Sequence, residues 1–348
     1  MPRNEPARTL LVTGGAGFIG SAYVLAALGR GDRVVVLDKL TYAGNLENLA
    51  TVASHPYLSF VHGDIADRDL VRGLLDTHAP DALLNVAAES HVDNSIATPD
   101  VFLHTNVDGV LSLLEAVRNW WNGQPFRLLH VSTDEVYGPI PSPDRADESA
   151  PSLPSSPYAA SKVAAEALMH AWHVTYGLPT LTTRGSNTYG PRQFPEKLIP
   201  RMIRNALRGE PLPVYGDGTN QRDWMHVDDH VAGLDAVLSR GTFGGRYNLG
   251  VGAERPNIEV VGAICAALDR IVPAGAPHAR GIRHVTDRRG HDRRYAVDAT
   301  RAGALGWAPT RAFDAGLAET VRWYVENPGW CERVESGAYR AVTTLAGA

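Results

Sequence analysis

Thr9-Leu-Leu-Val-Thr13, followed at once by Gly14-Gly-Ala-Gly-Phe-Ile-Gly20, is the stretch that decides the fold. An apolar run of strand length opens directly into glycines at 14, 17 and 20, and a helical segment follows. Glycines so spaced permit a tight turn, close approach of a pyrophosphate and close packing of helix on strand. The helix start then offers free N–H groups and the positive end of its dipole to phosphates. Asp38 closes the next apolar run, eighteen residues beyond Gly20, near the spacing of about 20 for an acid that meets the ribose. A carboxylate there accepts bonds from a 2′-hydroxyl and repels a 2′-phosphate, so NAD is expected over NADP. Lys39 follows directly and is expected to blunt that repulsion.

Outward from this turn, apolar runs rich in Val, Leu and Ile recur at 33–37, 58–62, 82–86, 127–132 and 179–183. They show little alternation, as strands do when helices cover both faces of a parallel sheet. Helical stretches are predicted between them at 18–28, 67–76, 101–121 and 158–176. The expected fold class is α/β: a Rossmann-type doubly wound parallel sheet over 8–186, followed by a smaller mixed α/β substrate-binding domain over 187–330. The chain is expected to cross back to the first domain near 215–250. Residues 139–157, dense in Pro, Ser and Asp, read as a long loop, placed here as a partial lid with a plain solvated connection as the alternative.

Composition narrows the function. Of 348 residues 44% are hydrophobic and 20% charged, as in a globular enzyme, and a net charge of −5 argues against general nucleic-acid binding. Two cysteines, Cys265 and Cys331, offer neither a disulfide framework nor a metal-ligand spacing, so no metal is expected and a cytoplasmic location is. The opening segment is short and polar, and no apolar stretch is long enough to span a bilayer.

Two further runs carry chemistry. Tyr158 and Lys162 stand four apart, on one face of a predicted helix. A phenol beside an ammonium ionises more easily and can take a proton from a substrate hydroxyl. Thr133-Asp134-Glu135 places two carboxyl groups at the end of a strand. Simple alcohol oxidation has no use for them, and mutual repulsion suits one to stay protonated while the other acts as a base. Asp64 and Ile65 end one strand where the adenine would lie, and Ala87 and Ala88 supply small residues where a dinucleotide crosses the sheet edge.

Together these residues resemble the extended short-chain dehydrogenases/reductases, and Thr133-Asp-Glu-Val-Tyr-Gly138 narrows the likeness to the nucleotide-sugar 4,6-dehydratases. Leu40-Thr-Tyr-Ala-Gly-Asn45, Ala87-Ala-Glu-Ser-His-Val-Asp93, Glu196-Lys-Leu-Ile-Pro200 and Asp287-Arg-Arg-Gly-His-Asp-Arg-Arg-Tyr295 support it, in order along the chain. The resemblance implies NAD contacts at Gly14, Gly17, Phe18, Ile19, Gly20, Asp38, Lys39 and Thr41. It extends them to Asp64, Ile65, Ala87, Ala88, Thr105, Tyr158 and Lys162. It implies that Tyr158 with Lys162 removes the O4 proton, Glu135 the C5 proton, and that Asp134 protonates the departing 6-hydroxyl while Thr133 orients the sugar. Substrate contacts are implied at Ser90, His91, Asn187, Lys197, Leu198, Pro213 and Tyr215. Arg222, Asn257, Arg288, His291 and Tyr295 complete them, within a basic cluster of Arg288, Arg289, Arg293 and Arg294.

The implied substrate is dTDP-glucose, dehydrated to its 4-keto-6-deoxy form. Gly185-Ser186, Thr188 and Asn94 depart from the common pattern, and Asn94 with Gly185 also fits relatives acting on UDP-glucose. The alternatives are therefore a UDP-glucose 4,6-dehydratase, a 4-epimerase sharing Tyr158, Lys162 and NAD but lacking the acid pair, and a non-catalytic NAD-binding protein. A homodimer is implied, joined through the helices near 101–121 and 158–176, with Trp120 and Trp121 either in that interface or in the core.

Overall fold

The computed structural model describes residues 7–288 and 290–345; Arg289 of the predicted basic cluster lies outside the described residues. In the first half, strands β1 (Thr9–Thr13), β2 (Arg33–Asp38), β3 (Leu58–His62), β4 (Ala82–Asn85), β5 (Arg127–Thr133) and β6 (Thr180–Gly185) alternate with helices. Those helices are α1 (Phe18–Gly29), α2 (Arg68–His78), α3 (Val92–Ala97), α4 (Pro99–Leu103), α5 (Gly109–Trp120) and α6 (Pro157–Tyr176). The second half adds β7 (Asn187–Tyr189), α7 (Leu198–Arg208), β8 (Leu212–Tyr215), β9 (Gln221–His226), α8 (Val227–Arg240) and β10 (Arg246–Leu249). It ends with β11 (Glu254–Pro256), α9 (Asn257–Ile271), β12 (Ile282–Val285), α10 (Thr300–Gly303), α11 (Phe313–Glu326) and α12 (Pro328–Ser336).

The apolar runs became strands buried on both sides. Leu10, Val12, Val34, Val36 and Leu84 face one core with α1 and α8. Leu11, Val35, Leu37 and Leu83 face the other, with α2 and α5. This two-sided burial explains why neither face of a strand reads as polar. Seven strands form the parallel sheet in the order β3-β2-β1-β4-β5-β6-β10. The order reverses between β1 and β4, which opens a crevice at the carboxyl ends of those strands. The first domain does not supply the whole sheet: β10 pairs with β6 in register Arg246↔Thr182, and α8 packs on α1.

A second core gathers Ile199, Met202 and Ile203 of α7, Val260, Val261 and Ile264 of α9, and Leu317 and Val321 of α11. Two small sheets, β11-β9-β7 and β12-β8, complete this part.

One expectation needs correction. The predicted helix over 101–121 is not uniform, because α4 runs into α5 through a wide π-type turn, His104–Asp108. Such a turn inserts an extra residue and re-aims its neighbours, as is common at functional sites. Here it buries Asn106, whose amide bonds Glu89 N and O and Ser161 Oγ at 2.9–3.0 Å. The amide thereby ties the loop after β4 to the start of α6.

Candidate active site

The cleft at the switch point is bordered by the β1–α1 turn, the ends of β2 to β5, and α6. Its dinucleotide half is held by backbone contact. A Cβ on Gly20 would sit 2.1 Å from the Gly14 carbonyl oxygen, and one on Gly14 would sit 2.6 Å from Ala87 N. Gly14 also has φ +67°, so only glycine brings turn, helix and β4 this close. Asp38 accepts from Ala16 N at 2.9 Å and Leu40 N at 2.8 Å, which fixes its carboxylate at the cleft wall. Lys39 does not blunt it: its ammonium turns away to Asp64, 2.6 Å distant. A glycine cradle followed by an acid whose charge no lysine offsets fits NAD. Phe18, Ile19, Thr41, Ile65, Ala88 and Thr105, expected to meet NAD, line the same cleft.

The acid–base half stands where β5 ends. Thr133 accepts from Glu135 N at 3.2 Å and caps a single 3-10 turn, Asp134–Tyr137, that swings both carboxyls into the cleft. Asp134 is buried, its Oδ1 accepting from Thr133 Oγ1 at 3.3 Å and its Oδ2 without a partner among the described residues. Burial and the neighbouring Glu135 charge push Asp134 well above the usual carboxylate range. Glu135 is also raised by burial, but Arg288, Arg222 and Lys197 pull it back. The two acids therefore differ: Asp134 keeps its proton and Glu135 is the one poised to ionise.

Ser156 caps α6, accepting from Ala159 N at 3.1 Å, and Pro157 begins the helix, so Tyr158 and Lys162 follow on its inward face. Both are buried and both line the cleft. The expectation that Lys162 eases Tyr158 toward ionisation is not met in the chain itself. Burial raises the phenol and the Glu135 charge raises it further, while the nearby Thr133 hydroxyl lowers it. Lys162 Nζ points instead at Val131 O, 2.7 Å away.

Of the predicted substrate residues, Ser90, Thr133, Asn187 and Lys197 line the cleft. Asn187 Oδ1 is buried without a partner among the described residues, and Lys197 Nζ donates to Ser90 O at 2.9 Å. His91, Leu198, Pro213, Tyr215, Arg222, Asn257, Arg288, His291 and Tyr295 stand outside its wall. Several of these gather beyond Glu135, where Arg288 Nη1 lies 3.2 Å and the Tyr215 hydroxyl 3.4 Å from Asp93, and Tyr215 packs edge-on against His291. Arg222 stacks on Tyr295 at 4.2 Å and donates to Gln221 O and Asp292 O, so two of its nitrogens are spent on backbone. His91 caps α3, accepting from Asn94 N, and Asn257 opens α9.

The cleft also contains residues the sequence reading missed, among them Glu89, Ser132, Glu196, His230 and Trp330. Glu89 and Glu196 sit inside segments already quoted, which was the available signal; Trp330 had none. The lid is a correction too. No residue of 139–157 borders the cleft. That loop is bound to the second half through Ile140 N to Arg294 O, Ala146 N to Ala296 O and Arg145 to Glu254.

A family model described as GDP-mannose 4,6 dehydratase matches residues 11–320. A dTDP-glucose 4,6-dehydratase of Xanthomonas campestris pv. campestris is 55% identical over 341 residues, covering 95% of this chain and 97% of the relative. One from Escherichia coli is 48% identical over 349 residues, with 95% and 97% covered. The crystal structure of a dTDP-glucose 4,6-dehydratase from Streptomyces venezuelae with NAD and TYD bound superposes with TM-score 0.88 at 48% identity, covering 94% of this chain and 99% of that one. A UDP-glucose 4-epimerase from Thermotoga maritima shares the fold at 29% identity and TM-score 0.82, with 92% and 99% covered.

Proposed function

The chain belongs to the GDP-mannose 4,6 dehydratase family, and we propose that it dehydrates dTDP-glucose to dTDP-4-keto-6-deoxyglucose, as an NAD-dependent hydro-lyase of deoxysugar biosynthesis. The observation that carries this is the unequal pair Asp134 and Glu135 in one cleft with Tyr158 and Lys162. A 4-epimerase has no step for such a pair. A non-catalytic NAD-binding protein needs none of the four side chains.

The Gly14–Gly20 turn and Asp38 would hold NAD in the cleft, where it would supply the acceptor for the C4 hydride, the donor of that hydride to C6 and a positive ring that favours the tyrosinate. Tyr158 removes the O4 proton and Thr133, lining the same cleft, hydrogen-bonds the same oxygen. The 4-keto group so formed acidifies the C5 hydrogen. Glu135 takes that proton, helped toward its charged form by Arg288, Arg222 and Lys197. Asp134, held protonated, gives its proton to the 6-hydroxyl, which leaves as water. One water is lost and the sugar's oxidation state is unchanged overall.

The test is to mix the protein with dTDP-, UDP-, GDP- and CDP-glucose and follow the alkali-induced absorbance of a 4-keto sugar. Product from dTDP-glucose, at least about ten-fold faster than from UDP-glucose, is the expected result; a ten-fold preference needs only about 1.4 kcal/mol of base discrimination. Product from none of the four, with NAD bound in equal amount to protein, would make this a binding protein.

The protein is proposed to act as a homodimer in the cytoplasm. Val101 and Leu103 beside α5, and Val174 with Tyr176 at the end of α6, are apolar side chains exposed at 46–68%, and a second copy is the partner that buries them. Within the chain, Trp120 packs edge-on against Phe126 and Trp121 donates to Gln124 O, both half-buried. Light scattering should give twice the monomer mass, and a Leu103→Glu, Val174→Glu protein should give one monomer mass; a wild-type monomer at micromolar concentration overturns the dimer. Among the described residues no helix is long and apolar enough to cross a membrane, and Cys265 and Cys331 are free and buried.

A further inference from the structure

Behind Lys162 a row of buried polar side chains crosses the sheet, and none of the chemistry above uses it. Thr13 Oγ1 on β1 donates to the Asn85 oxygen on β4 at 2.6 Å. The Asn85 nitrogen lies 3.0 Å from Nδ1 of His130 on β5, and His130 Nε2 lies 3.3 Å from Lys162 Nζ. All four residues are buried. We propose that the Asn85 amide stands turned over, its oxygen to His130, so that His130 with its proton on Nδ1 is a positioning residue whose Nε2 lone pair holds Lys162 as an ammonium, the charge that joins the cofactor's in favouring the Tyr158 phenolate. The inference rests on the functional reading above and adds to it how the lysine's charge is kept.

An ammonium has three donors and no lone pair. One donor of Lys162 goes to Val131 O, and a second needs an acceptor on β5. The carboxylate that favours the ammonium, Glu166, is itself gripped by Arg184 through bonds of 2.6–3.1 Å. From β4 comes only the uncharged Asn85, and from the π-type turn only the uncharged Asn106, bonded to Ser161. Tyr158 and the acids beyond it flank the cleft side. Burial brings Lys162 down to about 8, close enough to neutral pH for the loss of one lone pair to weaken its charge. Burial and the neighbouring Lys162 also keep His130 neutral, so it serves as an acceptor and never as a competing cation.

The Asn85 amide is nearly symmetric in shape, and the row has two self-consistent polarities. With the amide oxygen toward His130, Nδ1–H donates to it, Nε2 is bare, and the ammonium donates in. With the amide nitrogen toward His130, Nε2 carries the proton and Lys162 must be an amine. A carboxylate at position 85 permits only the first polarity, because it accepts from both Thr13 and His130. A leucine of the same size supports neither.

Two measurements test this on the NAD-bound protein. Nitrogen-15 NMR of labelled histidine should show His130 protonated on Nδ1 and bare on Nε2; the reverse overturns the proposal even if every variant misfolds. The acid limb of the pH–rate profile for 4-keto product should then move to lower pH by about one unit in Asn85→Asp and to higher pH by about one unit in Asn85→Leu. At a pH on that limb the second shift reads as roughly a ten-fold loss. A merely structural role moves both variants the same way or leaves both limbs in place, and either result overturns the proposal. If the wild-type protein makes no 4-keto sugar, the functional reading fails instead, and the NMR result still stands as the test of the row.

Discussion

Replacing Glu135 by glutamine is expected to cost on the order of 10³-fold in formation of the 4-keto-6-deoxy sugar while leaving oxidation at C4 intact. Glutamine keeps the shape of the side chain and its place in the 3-10 turn capped by Thr133, so the cleft should stay formed. What it loses is the carboxylate of the pair that ionises more readily, the one drawn toward its charged form by Arg288, Arg222 and Lys197. Without it the C5 proton has no base. A second effect has a definite sign. Glu135 is the charge that most raises Tyr158 after burial itself. Its removal lets the phenol ionise more readily, so the acid limb of C4 oxidation should move to lower pH in the variant. Stopped-flow absorbance of the reduced nicotinamide would report the oxidation, and the alkali assay the product. Normal product turnover by Glu135→Gln would sink the assignment, and so would loss of both steps together, since that would make Glu135 a residue of substrate binding.

Where the fold and site were legible in the sequence, a local rule and the tertiary demand agreed. Strands buried on both faces read as unbroken apolar runs, and Gly20 must be glycine because its Cβ would strike the Gly14 carbonyl. The features that stayed hidden were set by contacts distant in the chain. Arg246–Leu249 looks like nothing in particular until β6 pairs with it. The π-type turn at His104–Asp108 lies among residues that favour any helix, and its cause is the demand on Asn106 to bond Glu89 and Ser161. Trp330 reaches the cleft by donating to Asn48 Oδ1 at 3.2 Å, from the far end of the sequence. A Pro- and Ser-rich loop has the same composition whether it covers a site or is tied back, and the bonds from Arg294 to the carbonyls of Ile140, Pro141 and Asp144 decided which. The same holds for charge. Lys39 and Arg222 had the right type and place for a ligand, yet Asp64 and two backbone carbonyls claim their donors.

Asp134→Asn should separate activity from stability in opposite directions. Asparagine fills the same space but cannot protonate a leaving hydroxyl, so product formation should fall by roughly 10²–10⁴-fold. Stability should change the other way. Asp134 is buried, faces the Glu135 and Asp223 charges, and is held well above the ordinary carboxylate range. A carboxyl whose pKa is higher folded than unfolded binds its proton more tightly in the folded state. The folded state is therefore penalised progressively as pH rises from the unfolded value near 4 up to the folded one. Asparagine has no such penalty. The variant should melt at the same temperature as the wild type at the acid end of this window and about one to three degrees above it at neutral pH, the gap widening as pH rises. Scanning calorimetry at several pH values on the NAD-bound proteins measures this directly. A gap that narrows with rising pH would mean that Asp134 is ionised and stabilising in the folded protein. It could then not be the acid that expels the 6-hydroxyl, and the division of labour between the two carboxyls would have to be reversed.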